Sequence, residues 1–147
     1  MFKHILVPTD GSQFSRDAVR KAVTLAKENG AKVSALYVKL PPPAHYWSHV
    51  IWVNLPEPSV FEEFSEKEAQ EALEVVEGAC REAGVECNKL SVTNEHVYQA
   101  IIDEATAGEC DLIFMASHGR RGVDALVLGS ETHKVLTHSK IPVLVFR

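Results

Sequence analysis

The sequence predicts a three-layer α/β domain: an open, mostly parallel five-stranded sheet with helices on both faces. Three observations carry this expectation. Short apolar runs, many of them β-branched, alternate with longer stretches whose apolar residues recur at helical spacing, and such alternation builds a sheet between helical layers. Two runs, Ile5-Leu6-Val7 and Leu112-Ile113-Phe114-Met115, are unbroken, as expected of parallel strands covered on both faces. The first strand, helix and strand together take roughly 35 residues, the size of a right-handed crossover rather than a hairpin.

His4 to Val7, ended by Pro8, reads as a central strand, with Asp10-Gly11-Ser12 as the turn that follows. The next helix carries Phe14, Ala18, Ala22 and Ala26 four apart, with Val19, Val23 and Leu25 beside them, and Asn29-Gly30 stops it. Lys32 to Val38 is the second strand. Leu40 to Val60 breaks the rhythm with five prolines and with Tyr46, Trp47 and Trp52. Connections this long are usually functional or mobile. Trp47, Ile51 and Trp52 would fold down as an apolar flap, or else form a lid or a subunit contact. His45 and His49 have no evident third partner for a metal.

Phe61 to Ala83 resumes helical spacing through Phe61, Phe64, Ala69, Leu73, Val76 and Ala79, and Gly84 ends it. Glu86 to Val92 is poor in apolar residues and reads as an edge strand. Asn94 or Glu95 stands where a cap is needed for the next helix, whose stripe is Val97, Ile101, Ile102 and Ala105, ended by Gly108. Leu112 to Met115 is the fourth strand. A glycine- and arginine-rich loop leads to a helix opened by Gly129-Ser130, with Ser130 as N-cap, and Val143 to Phe146 is the last strand.

A chain of 147 residues suits one domain over 1–147, and 46% hydrophobic with 24% charged residues excludes overall disorder. The formal charge of -5 has the wrong sign for a general nucleic-acid coat, although a local patch can still hold a small anion. Cys80, Cys87 and Cys110 are odd in number and form no C-x-x-C, so neither a disulfide framework nor a zinc knuckle is indicated. The apolar stretch near the N-terminus is too short for a signal peptide, and no run approaches a membrane span. The expectation is a cytoplasmic protein with no nucleic-acid or membrane partner.

The loop Ser117-His118-Gly119-Arg120-Arg121-Gly122 cannot continue a buried strand, and its glycines allow backbone N–H groups to approach a ligand. The helix that follows offers unpaired N–H donors and the positive end of a dipole, which together suit a phosphate. A P-loop, a dinucleotide fingerprint and a nucleophile elbow are all absent. Asp10 is either a turn residue that caps the first helix or a ligand contact.

Gly119, nine intervening residues and then Gly129-Ser130 resembles the nucleotide motif of the universal stress protein family, with Ala116 standing where the motif has its first glycine. The N-terminal His4 to Ser12 and the closing Ile141 to Val145 resemble the same family. The resemblance implies strand order 3-2-1-4-5, which would bring the Thr9-Asp10 turn and the segment from Ser117 to Ser130 to one crevice. It implies ATP there, with ADP or AMP as alternatives, and Mg²⁺ or Mn²⁺ carried in on the phosphates rather than held by a protein metal site. Asp10 would lie beside the adenine, backbone atoms of Val38 would bond its edge, and Ser117, Gly119, Gly129 and Ser130 would hold ribose and phosphates. The full candidate set is Pro8, Thr9, Asp10, Val38, Met115, Ala116, Ser117, His118, Gly119, Arg120, Gly122, Gly129, Ser130 and Glu131. Arg120 and Arg121 either neutralise phosphate or stay solvated. No catalytic residue is assigned. The implied function is nucleotide-binding regulation in a stress response, with at most slow ATP hydrolysis. The alternative is a dimeric interaction module that does not retain ATP, for which Ala116 is the argument. Homodimerisation is implied through the final strand, an otherwise exposed apolar edge.

Overall fold

The computed structural model describes residues 1–42, 57–119 and 128–147. In chain order they form β1 (His4–Pro8), α1 (Gln13–Asn29), β2 (Lys32–Lys39), α2 (Pro58–Ala83), β3 (Cys87–Thr93), α3 (Val97–Ala107), β4 (Leu112–Ala116), α4 (Ser130–His138) and β5 (Val143–Phe146). The sheet runs β3-β2-β1-β4-β5, and all the pairings are parallel. Helices α1 and α2 cover one face, and α3 and α4 cover the other.

Side chains alternate across the pleat, so each central strand feeds two cores. Ile5 and Val7 join Ala18, Val19, Ala22, Leu73 and Val76. Leu6, one residue out of phase, joins Ile101, Ala105, Ile113 and Val135 on the opposite face. Both faces of β1 are dry, which accounts for its unbroken apolar run. Each fully buried aliphatic there contributes about 1.5–3 kcal/mol relative to exposure. The strand continues through Pro8, which pairs with Leu36, and the Thr9 N–H donates to the Leu36 carbonyl at 2.9 Å.

Several local expectations are corrected. Helix α2 starts at Pro58 rather than Phe61, because proline suits a first turn that needs no N–H. Phe14 and Phe64, assigned to apolar faces, are 50% and 61% exposed. Periodicity identifies a helix face but not how far its neighbours cover it, and burial on α2 begins only at Ala69. The N-cap of α3 is His96, without a side-chain cap bond, and Asn94 Oδ1 instead accepts the His96 N–H at 2.8 Å. Strand β3 does lie at an edge, with β5 at the other. The residues considered for a flap or metal pair, His45, Tyr46, Trp47, His49, Ile51 and Trp52, lie outside the described residues.

Candidate functional site

Strands β1 and β4 are neighbours at the middle of the sheet, with Ile5 opposite Leu112 and Leu6 opposite Ile113. The chain leaves β1 in one direction across the sheet and returns to build β4 on the other side. A crevice opens at the carboxyl ends of strands where such a reversal occurs. Two turns flank it here: the one after β1, from Thr9 to Ser12, and the one after β4, from Ser117 to Gly119.

The first turn is tied down by its own side chains. Thr9 is buried, and its Oγ1 accepts the Gly11 N–H at 3.2 Å. Asp10 Oδ1 accepts the Ser12 N–H at 2.9 Å and the Ser15 hydroxyl at 2.7 Å. Ser12 in turn caps α1, its hydroxyl accepting the Ser15 N–H at 3.2 Å. The turn role considered for Asp10 is therefore real, although Ser12 is the cap and Asp10 its buttress. The other carboxylate oxygen faces the second turn, and a Cβ on Gly119 would lie 2.5 Å from Asp10 Oδ2. A side chain there would have to displace the Asp10 carboxylate.

The second turn is sewn to the start of α4. The Ser117 N–H donates to the Phe146 carbonyl, and the Ser117 carbonyl accepts the Gly129 N–H, both at 2.8 Å. Thr132 Oγ1 donates to the Ala116 carbonyl at 3.0 Å. A Cβ on Gly129 would stand 2.9 Å from the Ser117 carbonyl oxygen, so glycine is what lets the two backbones close. Two expectations change. The Gly129 N–H is spent inside the protein, and Gly129, not Ser130, is the N-cap, its carbonyl accepting the His133 N–H. Ser130 is the first helical residue, exposed, with no capping bond for its hydroxyl to make. The donors that α4 presents are the N–H groups of its first turn, from Ser130 onward, which have no acceptor within the helix.

The remaining candidates fall into two groups. Ser117 and His118 are 4% and 7% exposed, with Ser117 Oγ 2.9 Å from His118 Nδ1, and the Phe14 ring lies 5.9 Å from the imidazole. They underlie the turn rather than line its surface. Met115 and Ala116 are buried on opposite faces of β4. Ala116 is an extended strand residue, and among the described residues only Glu109 has positive φ outside glycine. Alanine there costs the backbone nothing. Val38 lies one residue before the end of β2, paired with Val92. Glu131 Oε2 accepts the Tyr98 N–H of α3 at 2.9 Å, and its Oε1 bonds Lys134 at 3.0 Å, so this carboxylate is engaged with α3 and its own helix. Arg120, Arg121 and Gly122 lie outside the described residues.

Sequence reasoning missed Ser15 and Thr132, which fix the two turns. Thr132 lies three residues before the buried Val135, so the helical period already placed it on the inward face. Among the described residues, no group of three His, Cys, Asp or Glu side chains is assembled for a metal ion. Among the described residues, no helix is long and apolar enough to cross a membrane. Two hollows, of about 410 and 560 Å³, open at the other end of the sheet, the larger lined by His4, Lys32, Ser34, Asn88 and Glu104 among others.

The model of the Universal stress protein family matches residues 1–147. A universal stress protein of Methanocaldococcus jannaschii is 33% identical over an alignment that takes in 100% of this chain and 83% of that protein. Another, from Bacillus subtilis, is also 33% identical, with 100% of both chains covered. Among solved structures, a universal stress protein from Lactobacillus plantarum gives a TM-score of 0.78 at 24% identity, covering 99% of this chain and 97% of that one. One from Archaeoglobus fulgidus in complex with dAMP gives 0.71 at 19% identity, covering 99% and 98%. A family protein from Arabidopsis thaliana with AMP bound gives 0.69 at 17% identity, covering 98% and 90%.

Proposed function

The chain belongs to the universal stress protein family, and on that premise we propose that it binds an adenine nucleotide, ATP foremost, where the turns after β1 and β4 meet. One observation supports this reading: a Cβ on Gly119 would lie 2.5 Å from Asp10 Oδ2, so two turns far apart in sequence stand side by side beyond the carboxyl ends of β1 and β4. The capture of dAMP and AMP by proteins of this fold supports the choice of ligand.

In this reading the Asp10 turn and the backbone of Val38 take the base. The first-turn N–H groups of α4 and the Ser130 hydroxyl take ribose and phosphate, because a helix N-terminus offers both donors and positive potential. Ser117 and His118 hold the second turn in shape from beneath. A divalent ion would arrive on the phosphates. No residue is assigned as a catalyst, so binding outruns hydrolysis and the role is regulatory. We also propose that a second copy of the chain covers the outer edge of β5, where Leu144 is 36% exposed.

The test is to denature purified protein and measure released nucleotide by mass spectrometry, then titrate stripped protein with ATP, ADP and AMP by calorimetry. Adenine nucleotide recovered near one per chain, or saturable binding on titration, is expected. Clean protein that takes up none of the three would end the reading. Light scattering at micromolar concentration tests the dimer, and a monomeric mass would refute it.

A further inference from the structure

Away from this crevice, polar side chains cross the sheet in a row near its amino end. His4 of β1 pairs with Lys32 of β2, and Ser34 of β2 pairs with Asn88 of β3. The pleat sends all four to the face on which Leu6, Leu36 and Leu90 pack. Together they floor the larger hollow, of about 560 Å³, and the last turn of α3 walls it through Glu104. That volume lies within the range of ~300–1,000 Å³ usual for small-molecule sites. His4 Nε2 and Ser34 Oγ are buried and 2.8 Å apart, whereas Lys32 and Glu104 are half-buried. Among the described residues, neither Lys32 nor Glu104 forms an ion pair, with the other or with any third group. Lys89 does, but with Glu77 of α2 on the opposite face, at 2.8 Å.

We propose that this hollow binds a small amino acid as its zwitterion, the ligand carboxylate meeting the Lys32 ammonium and the ligand ammonium meeting the Glu104 carboxylate. A lone anion would face Glu104 and a lone cation would face Lys32, so a single charge gains at one wall what it loses at the other. A zwitterion gains at both. Its ammonium is favoured further by the carboxyl end of α3, where the helix dipole is negative and no basic side chain occupies the last turn. The Asn88 amide lies on the same floor and can donate to the ligand carboxylate. Leu90, half-buried, and Ala107 offer apolar surface to the carbon chain between the two charges. The buried His4 ring beneath the ligand is a built-in reporter of its arrival.

The test is to titrate the full chain, without nucleotide and at fixed pH, with glycine, β-alanine and γ-aminobutyrate, which differ in the spacing of their charges. Propionate and propylammonium, each with one charge, are the controls. Nuclear magnetic resonance follows the His4 ring proton, assigned by its loss in His4→Gln, and the amides of Ser34, Asn88 and Gly108. Saturable shifts of these signals are expected with at least one of the three zwitterions, about ten-fold tighter than with either control. Lys32→Met and Glu104→Gln, which remove one charge each at little change of shape, should each weaken that binding about ten-fold or more. The proposal is overturned if no zwitterion saturates the signals by about 10 mM, if a single-charge control binds as tightly, or if both variants, folded by their remaining amide signals, bind like the unaltered chain. Shifts confined to Asp10 and Gly119 would equally refute it, since they would place the ligand in the crevice at the other end of the sheet.

Discussion

Gly119 and Gly129 owe their place to room rather than to torsion. Neither has positive φ, and Gly129 sits at φ -56 and ψ 143, which any residue adopts. What differs is the atom each added Cβ would meet. At Gly129 it is the Ser117 carbonyl oxygen at 2.9 Å, fixed in the backbone of the turn, whereas at Gly119 it is the tip of the Asp10 side chain at 2.5 Å. Gly129→Ala must therefore spread two backbones and should cost about 1–3 kcal/mol of stability, as overpacking typically does. Gly119→Ala moves only a side-chain tip, straining the Asp10 bonds to Ser12 and Ser15, so its stability cost should be smaller, about 0.5–1.5 kcal/mol. Its main cost should fall on ligand affinity, at least about ten-fold, because the base-side carboxylate is displaced. Urea midpoints and nucleotide titrations of both variants check the contrast. Unchanged affinity in Gly119→Ala would remove Asp10 from the binding site. The spacing of these glycines was visible in the sequence. The reason for them was not, since it depends on which atoms the fold sets opposite each Cα.

At the scale of elements, strands and helices were legible because apolar period separates them, and β3 betrays its edge position by its polar sequence, whereas the edge position of the apolar β5 came only from the family resemblance. Helix starts were harder. Ser130 has the chemistry of an N-cap, yet Gly129 takes that position because the Ser117 carbonyl holds its N–H. The first turn of α3 lacks a local cap and borrows one from α4, where Glu131 Oε2 accepts the Tyr98 N–H. No sequence rule reaches across 33 residues to find that bond. It couples the helix that opens the candidate site to its neighbour on the same face of the sheet. Glu131→Ala should free the Tyr98 amide and cost about 0.5–2 kcal/mol, the usual range for losing a cap. Hydrogen exchange gives the sharper readout: protection should fall at Tyr98 and along the first turn of α3, while β1 and β4 keep theirs. Uniform loss across the sheet would show that the contact supports the whole fold instead.

Over the whole molecule the two ends of the sheet divide the labour. The carboxyl ends of the strands carry the loops and glycines, and these were partly readable because motif residues are local in sequence. The amino ends carry a set of long-range ties that no local pattern displays. Asp111, leading into β4, accepts the Lys3 and His4 N–H groups at 2.8 and 3.0 Å. His4 Nε2 lies 2.8 Å from Ser34 Oγ of β2. His4 is 7% exposed, and burial, followed by the charge of Lys32, lowers its pKa below 6.5 despite the raising influence of Gly108, Asp111 and Glu86. The unfolded chain therefore takes up this proton before the folded one does. Stability from His4 is complete above its ordinary value of 6.5 and drains away as pH falls from there towards the folded value. Glu66 and Glu77, whose pKa values are lowered by bonding to Lys39 and Lys89, lose their contribution only below 4.5, which leaves a window down to roughly pH 5 where His4 can be seen apart from them. Urea midpoints should decline across that window, and His4→Gln, which cannot be charged, should flatten the decline while lowering stability at pH 7. An equally steep decline in the variant would assign the proton to another group.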